Sequence, residues 1–100
     1  MIDTRPRLEV RQEDKGTEGV FFHEKDGKRL AVLTYFRLGP SLLEIEHTEV
    51  DDSLRGTGAG RQLLDAAVAF ARATQAKIQA TCPYAKSQFD KDQSLGDVRA

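Results

Sequence analysis

The segment RGTGAG at residues 55–60, called the glycine loop below, has the residue types and spacing that point most directly to chemistry in this chain. Three of its six positions are glycine, so a ligand can approach the backbone closely. The segment lies between an alternating apolar stretch, residues 42–50, and a strong helical pattern that begins near Gly60. The first N–H groups of a helix have no intrahelical partner and carry partial positive charge. The pattern therefore predicts a phosphorylated cofactor.

Two well-known phosphate-binding motifs do not match the glycine loop. The ATP/GTP P-loop needs Gly, four residues and then Gly-Lys-Ser/Thr, and the sequence contains no such run. The dinucleotide fingerprint needs a glycine three residues after Gly58, where this chain has Arg61. That fingerprint also usually follows the first strand of its domain, whereas about three strand-like segments precede the loop here.

The pattern that remains is Arg-x-x-Gly-x-Gly, formed by Arg55, Gly58 and Gly60. It resembles the acetyl-CoA pyrophosphate loop of the GNAT N-acetyltransferase superfamily. The preceding HTEVDDSL at residues 47–54 and the later CPYAK at residues 82–86 look like a short, single-domain branch of that superfamily. The resemblance covers roughly residues 7–99, and the two motifs at this separation are much more specific than the loop alone. It implies acetyl-CoA as the cofactor.

The resemblance also implies which residues hold coenzyme A. Backbone groups near Glu49 and Val50 would bind the pantetheine arm. The backbone amides that would bind the pyrophosphate belong to Gly56, Thr57, Gly58, Ala59, Gly60 and Arg61. The side chains of Arg55 and Arg61 are candidates for additional charge-assisted contacts. The alternative for both arginines is a solvated helix start.

Cys82 is the first candidate catalytic residue. It lies at the end of the predicted fifth strand and just before a helix N-terminus, which stabilises a thiolate and lowers the thiol pKa. Cys82 could accept an acyl group, form a mixed disulfide with the cofactor, or line the cofactor slot. The alternative is a small buried core residue, because free cysteine is among the most commonly buried residue types.

His47 is the second candidate, as a general base near neutral pH. Strict alternation along the fourth strand places it on one face with Leu43, Ile45 and Glu49. Glu49 is a rival base, and a partly buried strand histidine is the structural alternative. GNAT enzymes often use a tyrosine in the helix after strand five to protonate the leaving thiolate. Tyr84 is too early in that helix to match, so it is predicted to pack beside the cofactor or the core.

The elements that position these residues follow from periodicity and turn signals. Strands are predicted at residues 8–12, 20–24, 30–36, 42–50 and 77–81, and helices at 60–74 and 83–91. A loose lead-in (1–6), a polar turn (13–19), an Asp-Gly hairpin connection (25–28) and a tail (92–100) complete the chain.

Strands four and five are joined by a helix and are therefore predicted to be parallel, through a right-handed crossover. The fold class is mixed α/β: a compact GNAT-like fold with a four-strand antiparallel meander, a helix, a parallel fifth strand and a second helix. Residues 1–100 are predicted to form one GNAT-like N-acetyltransferase domain with its core at about 7–92. Full-length GNAT domains usually insert two helices between the first two strands and add two strands at the end, and neither addition fits into 100 residues.

Composition excludes several function classes. With 31% charged residues and a net charge of −1, the chain has no basic excess for nucleic acid or for an anionic membrane. Its apolar runs are too short to span a bilayer, and its N-terminus lacks an apolar signal core. A single cysteine agrees with a reducing compartment, so a soluble cytoplasmic protein is expected. No metal site is expected, because His23, His47 and Cys82 lack zinc-like spacing.

Three functions remain open from the sequence. The leading one is an acetyl-CoA-dependent N-acetyltransferase that acts on an unidentified amine: a protein lysine or terminus, a polyamine or another small amine. The alternative is a non-catalytic acyl-CoA-binding or sensing module, favoured by the absence of the helices that commonly build the acceptor site. A third is an interaction domain that has lost cofactor binding, against which the intact glycine loop counts.

Overall fold

The structure, a computed structural model, describes residues 7–100. Its centre is a five-stranded sheet in the order β1-β2-β3-β4-β5. The first four strands pair antiparallel and β4 pairs with β5 in parallel, so the predicted mixed α/β fold is confirmed. The predicted lead-in at residues 1–6 lies outside the described residues. The elements are β1 Arg11–Asp14, β2 Glu18–Lys25, β3 Lys28–Gly39, β4 Leu42–Val50, a 3₁₀ helix Asp52–Leu54, α1 Ala59–Thr74, β5 Lys77–Ala80, α2 Pro83–Lys91 and a 3₁₀ segment Gln93–Val98.

One hydrophobic core lies on one side of the sheet, called the inner face below. The inner face carries the buried strand residues Phe21, Ala31, Leu33, Tyr35, Leu43 and Ile45. Helix α1 packs there because its apolar residues recur at three- and four-residue spacing and form one continuous stripe. Helix α2 joins the same core through Ala85 and Phe89. The opposite side of the sheet, the outer face, therefore has no covering helix within residues 7–100.

The first strand starts later than predicted. Residues 8–12 were expected to be strand, but β1 spans Arg11–Asp14 and takes up part of the predicted polar turn. The turn is tight, because the Lys15 amide donates to the Glu18 carbonyl over 2.8 Å. β1 is an edge strand whose four residues are all exposed. Its polar sequence therefore shows no alternation of apolar and polar residues from which a strand could be predicted.

A β-bulge interrupts the pairing of β3 with β4. Tyr35 pairs with Ile45, whereas the preceding Thr34 pairs with His47. Glu46 is therefore an extra residue on β4 and has no partner on β3. A bulge of this kind shifts the alternation of every residue beyond it.

The bulge overturns the predicted position of His47. Residues paired across two strands share one face of the sheet, so His47 lies on the outer face with Thr34. The prediction that His47 shares a face with Leu43 and Ile45 is wrong, because simple alternation does not allow for the extra residue. Thr48, which pairs with a buried residue of β3, lies on the inner face instead.

The prediction of a tail at residues 92–100 is also wrong for residues 93–98. The 3₁₀ segment Gln93–Val98 buries Leu95 and Val98 against the core. Asp92 caps this segment by accepting a backbone hydrogen bond from the residue two positions later. Two apolar side chains three residues apart, after an aspartate that can cap a helix, are typical of a short helical segment. The pattern was missed because six residues are too few to show a period.

Gly19→Ala is expected to destabilise the fold strongly. A Cβ at Gly19 would lie 2.2 Å from the hydroxyl oxygen of Tyr35, whose side chain is buried and donates a 2.6 Å hydrogen bond to Asp14. Overpacking of this kind costs about 3 kcal/mol of unfolding free energy. Urea unfolding measures the loss, and Gly39→Ala is the control because a Cβ there meets nothing within 4 Å. Equal midpoints for the two variants would contradict the expectation.

Candidate functional site

The glycine loop is a compact turn held by its own backbone. The Thr57 amide and hydroxyl both donate to the Leu54 carbonyl, over 3.1 and 2.6 Å. Gly56 and Gly58 have φ angles of 81° and 74°, a left-handed conformation that side chains with a Cβ rarely adopt. Gly58 is also the N-cap of α1 and supplies no side-chain cap. The two glycines thus fix the path of the chain into the helix and leave the helix end uncapped.

The amides at this helix start are available to a ligand. The first bond of the helix runs from the Gln62 amide to the Gly58 carbonyl over 3.0 Å. The helical amides before it, which have no intrahelical acceptor, are those of Ala59, Gly60 and Arg61. The Thr57 amide is already used inside the loop, so its predicted contact with pyrophosphate is not available in this conformation. The remaining donors form a cluster suited to an anion.

The Arg61 side chain joins α1 to α2. Its guanidinium donates to Asp65 over 2.8 Å, to Gln88 over 3.0 Å, and to Asp92. Hydrogen bonds from Arg61 and then from Ser94 lower the pKa of Asp92 from 3.8 to about 2. The predicted contact of this side chain with phosphate is therefore not supported, because three of its five N–H donors bind Asp65, Gln88 and Asp92 and hold the guanidinium against α2.

Arg55 remains a candidate for such a contact. Its side chain is 83% exposed, and its ion pair is with Asp52, 3.3 Å away and 92% exposed. An exposed pair of this kind contributes little to stability, so the guanidinium can turn toward a ligand at little cost.

Strands β4 and β5 separate beyond Ile45, which leaves a gap called the β4–β5 opening below. The last paired residue of β4 is Ile45, whose carbonyl accepts from the amides of both Thr81 and Cys82 over 3.1 Å each. There β5 ends and the chain turns into α2, while β4 continues to Val50. Within residues 7–100, β4 has no strand partner after Ile45 on the side away from β3.

Two backbone positions of β4 face the β4–β5 opening. The Asp51 amide donates to the Leu30 carbonyl over 2.7 Å, so every second residue before it also points its backbone groups toward β3. Glu49 is one of these, whereas Thr48 and Val50 point toward the opening. The predicted backbone contact near Val50 is thus geometrically available. The backbone groups of Glu49 point toward β3 and away from the β4–β5 opening, because the bulge at Glu46 reverses the alternation of the residues that follow it.

The Cys82 thiol lies beside the opening. It is 4% exposed, and its sulfur is 3.4 Å from the Thr48 hydroxyl oxygen. Burial alone would raise its pKa. The Thr48 hydroxyl and the backbone N–H groups of Ala85, Tyr84 and Thr48 act in the opposite direction and bring the pKa below its ordinary value. The Thr48 hydroxyl, with a smaller effect from each N–H group at the start of α2, therefore favours the thiolate, and the catalytic role of Cys82 stays a prediction.

His47 and Cys82 are not brought together. His47 lies on the outer face, with its Nε2 atom 3.3 Å from a carboxylate oxygen of Glu49. Both side chains are largely exposed. Thr48 and Cys82 meet on the inner side of the opening instead. The two candidate catalytic residues therefore approach the opening from opposite faces of the sheet.

Tyr84 packs as predicted. Its ring lies against the core, and a Cβ at Gly60 would come within 3.1–3.2 Å of its ring atoms. Gly60 thus lets the first turn of α2 approach the first turn of α1, which brings the glycine loop and Cys82 to the same end of the molecule.

Sequence reasoning missed one residue of this site, Thr48. Thr48 owes its position to the bulge, for which the sequence carries no signal that we can identify. In the described range, residues 7–100, no three or more metal-ligating side chains are grouped together. No helix in the same range is both long and apolar enough to cross a membrane.

Comparisons with known proteins point to one family. The family model of GCN5-related N-acetyltransferases matches residues 20–98. The NMR solution structure of a GCN5-like protein from Staphylococcus aureus is 35% identical, with a TM-score of 0.75, and the match covers 94% of this chain and 89% of that one. A GNAT acetyltransferase from Elizabethkingia anophelis with acetyl-CoA bound shares the fold at 12% identity, with a TM-score of 0.66 and coverage of 90% and 75%.

Curated relatives match more locally. Protein NATD1 from Gallus gallus is 39% identical over 54 residues, which is 54% of this chain and 49% of the relative. The matched part thus spans about half the length of this relative. The NATD1 protein of Bos taurus is 35% identical over 65 residues, or 65% of this chain and 57% of the relative.

Proposed function

Since this chain belongs to the GCN5-related N-acetyltransferase family, we propose that it transfers the acetyl group of acetyl-CoA to an amine. One observation carries the proposal: the uncapped start of α1, the β4–β5 opening and Cys82 lie at one end of the molecule. The first suits a diphosphate, the second an extended amide-containing arm, and the third a reacting thioester.

The residues at this end fit coenzyme A in their hydrogen-bonding chemistry. The amides of Gly56 and of residues 58–61 would hold the diphosphate, with Arg55 as a mobile countercharge. The Thr48 carbonyl and the backbone groups of Val50 would bond the amides of the pantetheine arm as a strand partner would, while the Thr48 N–H stays with the Cys82 sulfur. Acetyl-CoA supplies an acetyl group activated as a thioester.

Cys82 is the catalytic residue that we propose on the inner side of the opening. Its thiolate is stabilised by the Thr48 hydroxyl and by the start of α2, so it is placed to attack the acyl carbon and form a thioester of its own, while coenzyme A leaves as a thiolate that takes up a proton from solvent. Such a thiol needs a reducing compartment, which supports a cytoplasmic location.

His47 is the base that we propose on the outer side. Its imidazole is oriented by the Glu49 carboxylate and can accept the proton that an attacking amine loses. The bulge supports these separate roles for Cys82 and His47, because it turns His47 toward the outer face, from which an acceptor has access.

A non-catalytic acyl-CoA-binding module is the second candidate. The separation of His47 from Cys82 and the uncovered outer face favour it, because neither arrangement encloses a reaction.

Turnover separates the two functions. We expect the protein, mixed with acetyl-CoA and a panel of primary amines, to release free CoA thiol at a rate that depends on the amine. Calorimetry with CoA measures binding in the same samples. Binding without amine-dependent release would support the second candidate, and the absence of binding would contradict both.

A further inference from the structure

The outer face contains a shallow cavity that the proposed chemistry does not yet use. Its volume is about 360 Å³, within the range of small-molecule sites. Its floor consists of half-buried apolar side chains from β2 and β3: Val20, Val32 and Phe36. Carboxylates stand around this floor.

These carboxylates outnumber the cations near them. The cavity lining contains Glu13, Glu18 and Glu46 together with Lys15 and Arg29. Glu13 and Arg29 neutralise each other across 2.8 Å. Glu18 and Glu46 form no ion pair with another residue of the described range, 7–100. Glu44 and Glu49, on outer-facing positions of β4, extend the acidic rim further.

The cavity and the β4–β5 opening share one stretch of β4. Glu46 lines the cavity, and it directly follows Ile45, the last residue of β4 that pairs with β5. The His47–Glu49 pair comes next along the same strand. Glu46 and the His47–Glu49 pair thus place carboxylates on the outer face of β4 between the cavity floor and the β4–β5 opening.

We propose that this cavity is the acceptor site and that the acceptor is a linear aliphatic polyamine, an inference that rests on the proposed acetyl transfer. Methylene segments match the apolar floor, and ammonium groups spaced along the chain match a rim of carboxylates. A peptide fits less well, because β2 and β3 are paired on both edges and offer no backbone groups to it.

One terminal nitrogen of the polyamine receives the acetyl group that Cys82 carries. This terminal ammonium first releases a proton to solvent, and the neutral amine then bonds to the acyl carbon and gives a second proton to the His47–Glu49 pair. The carbon–sulfur bond of the Cys82 thioester breaks and restores the Cys82 thiolate, and the proton on the His47–Glu49 pair replaces the one taken up by the CoA thiolate released in the first step. The other ammonium groups stay charged and remain on the acidic rim.

Binding of spermidine to the protein without acetyl-CoA tests the proposal apart from acetyl transfer. We expect Glu18→Gln/Glu46→Gln to raise the Kd for spermidine at least about tenfold, because two charge-assisted contacts are lost. Asp26→Asn/Asp90→Asn is the control, since it changes net charge equally at exposed positions outside the cavity lining. The Kd for CoA should stay unchanged in both variants.

The outcomes separate the acceptor from the reaction. Equal spermidine affinities in the two double variants would overturn the proposal, as would an equal affinity for a linear monoamine. Tighter binding of a lysine-rich peptide that depends on Glu18 and Glu46 would assign the cavity to a peptide and also overturn it. If the protein acetylates other amines but does not bind spermidine, the proposed acetyl transfer stands and only the assignment of a polyamine acceptor is overturned.

Discussion

Replacing Cys82 with alanine is expected to lower kcat at least about 100-fold while the Kd for CoA stays within about threefold. The sulfur is buried beside the β4–β5 opening, and the Thr48 hydroxyl together with backbone N–H groups at the start of α2 and of Thr48 brings the thiol pKa below its ordinary value. Alanine removes the nucleophile and leaves the backbone amides that would hold the cofactor. Steady-state turnover and calorimetry with CoA measure the two quantities on the same protein.

Thr48→Val tests whether the Thr48 hydroxyl stabilises the Cys82 thiolate, with the sulfur itself kept in place. It keeps the volume of the side chain and removes the hydroxyl 3.4 Å from the sulfur. The thiol pKa should then rise, so the pH profile of kcat should shift to higher pH. KM should stay nearly constant, because the cofactor contacts are unchanged. Intact-protein mass spectrometry should detect an acetyl adduct in the wild type and none in Cys82→Ala. Full turnover by a folded Cys82→Ala variant would remove Cys82 from the mechanism.

The sequence predicted most of the fold because the strongest patterns are local. The helix after the glycine loop was expected at 60–74 and spans Ala59–Thr74. The second helix, expected at 83–91, spans Pro83–Lys91, since Pro83 marks its first turn. These elements are fixed by periodicity and by a proline at a position where its missing N–H costs nothing.

The details of the site were less predictable because they depend on pairing between strands. The extra residue Glu46 reverses the phase of β4, so His47 faces outward and Thr48 reaches Cys82. No feature of the residues around Glu46 distinguishes a bulge from a regular strand. The use of Arg61 between α1 and α2 was equally hidden, because its partner Asp92 is 31 residues away.

The bulge also links the two faces of the sheet. It turns the backbone of Thr48 and Val50 toward the β4–β5 opening and at the same time turns His47 outward. One inserted residue thus gives the opening a donor-lined inner side and an acidic outer side. No helix covers the outer face within residues 7–100, so the proposed acetyl transfer would have separate approaches for the acyl donor and for the amine.

The double variant Gly56→Ala/Gly58→Ala is expected to raise the Kd for CoA at least about 100-fold, because it displaces several charge-assisted amide contacts worth about 1.5–3 kcal/mol each. Both glycines have left-handed φ angles, 81° and 74°, so a Cβ would push the loop out of its present path. The amides of residues 58–61 would then no longer converge on one point.

Gly16→Ala/Gly27→Ala is the matched control, since these glycines have φ angles of 91° and 76° and a Cβ at either meets nothing within 4 Å. Both double variants should lose similar unfolding free energy from backbone strain, so calorimetry isolates the effect on the ligand. Pantetheine, which lacks the diphosphate, should bind both variants alike. If the two doubles bind CoA equally well, the start of α1 does not hold the diphosphate, and the assignment of the glycine loop as the cofactor site is wrong.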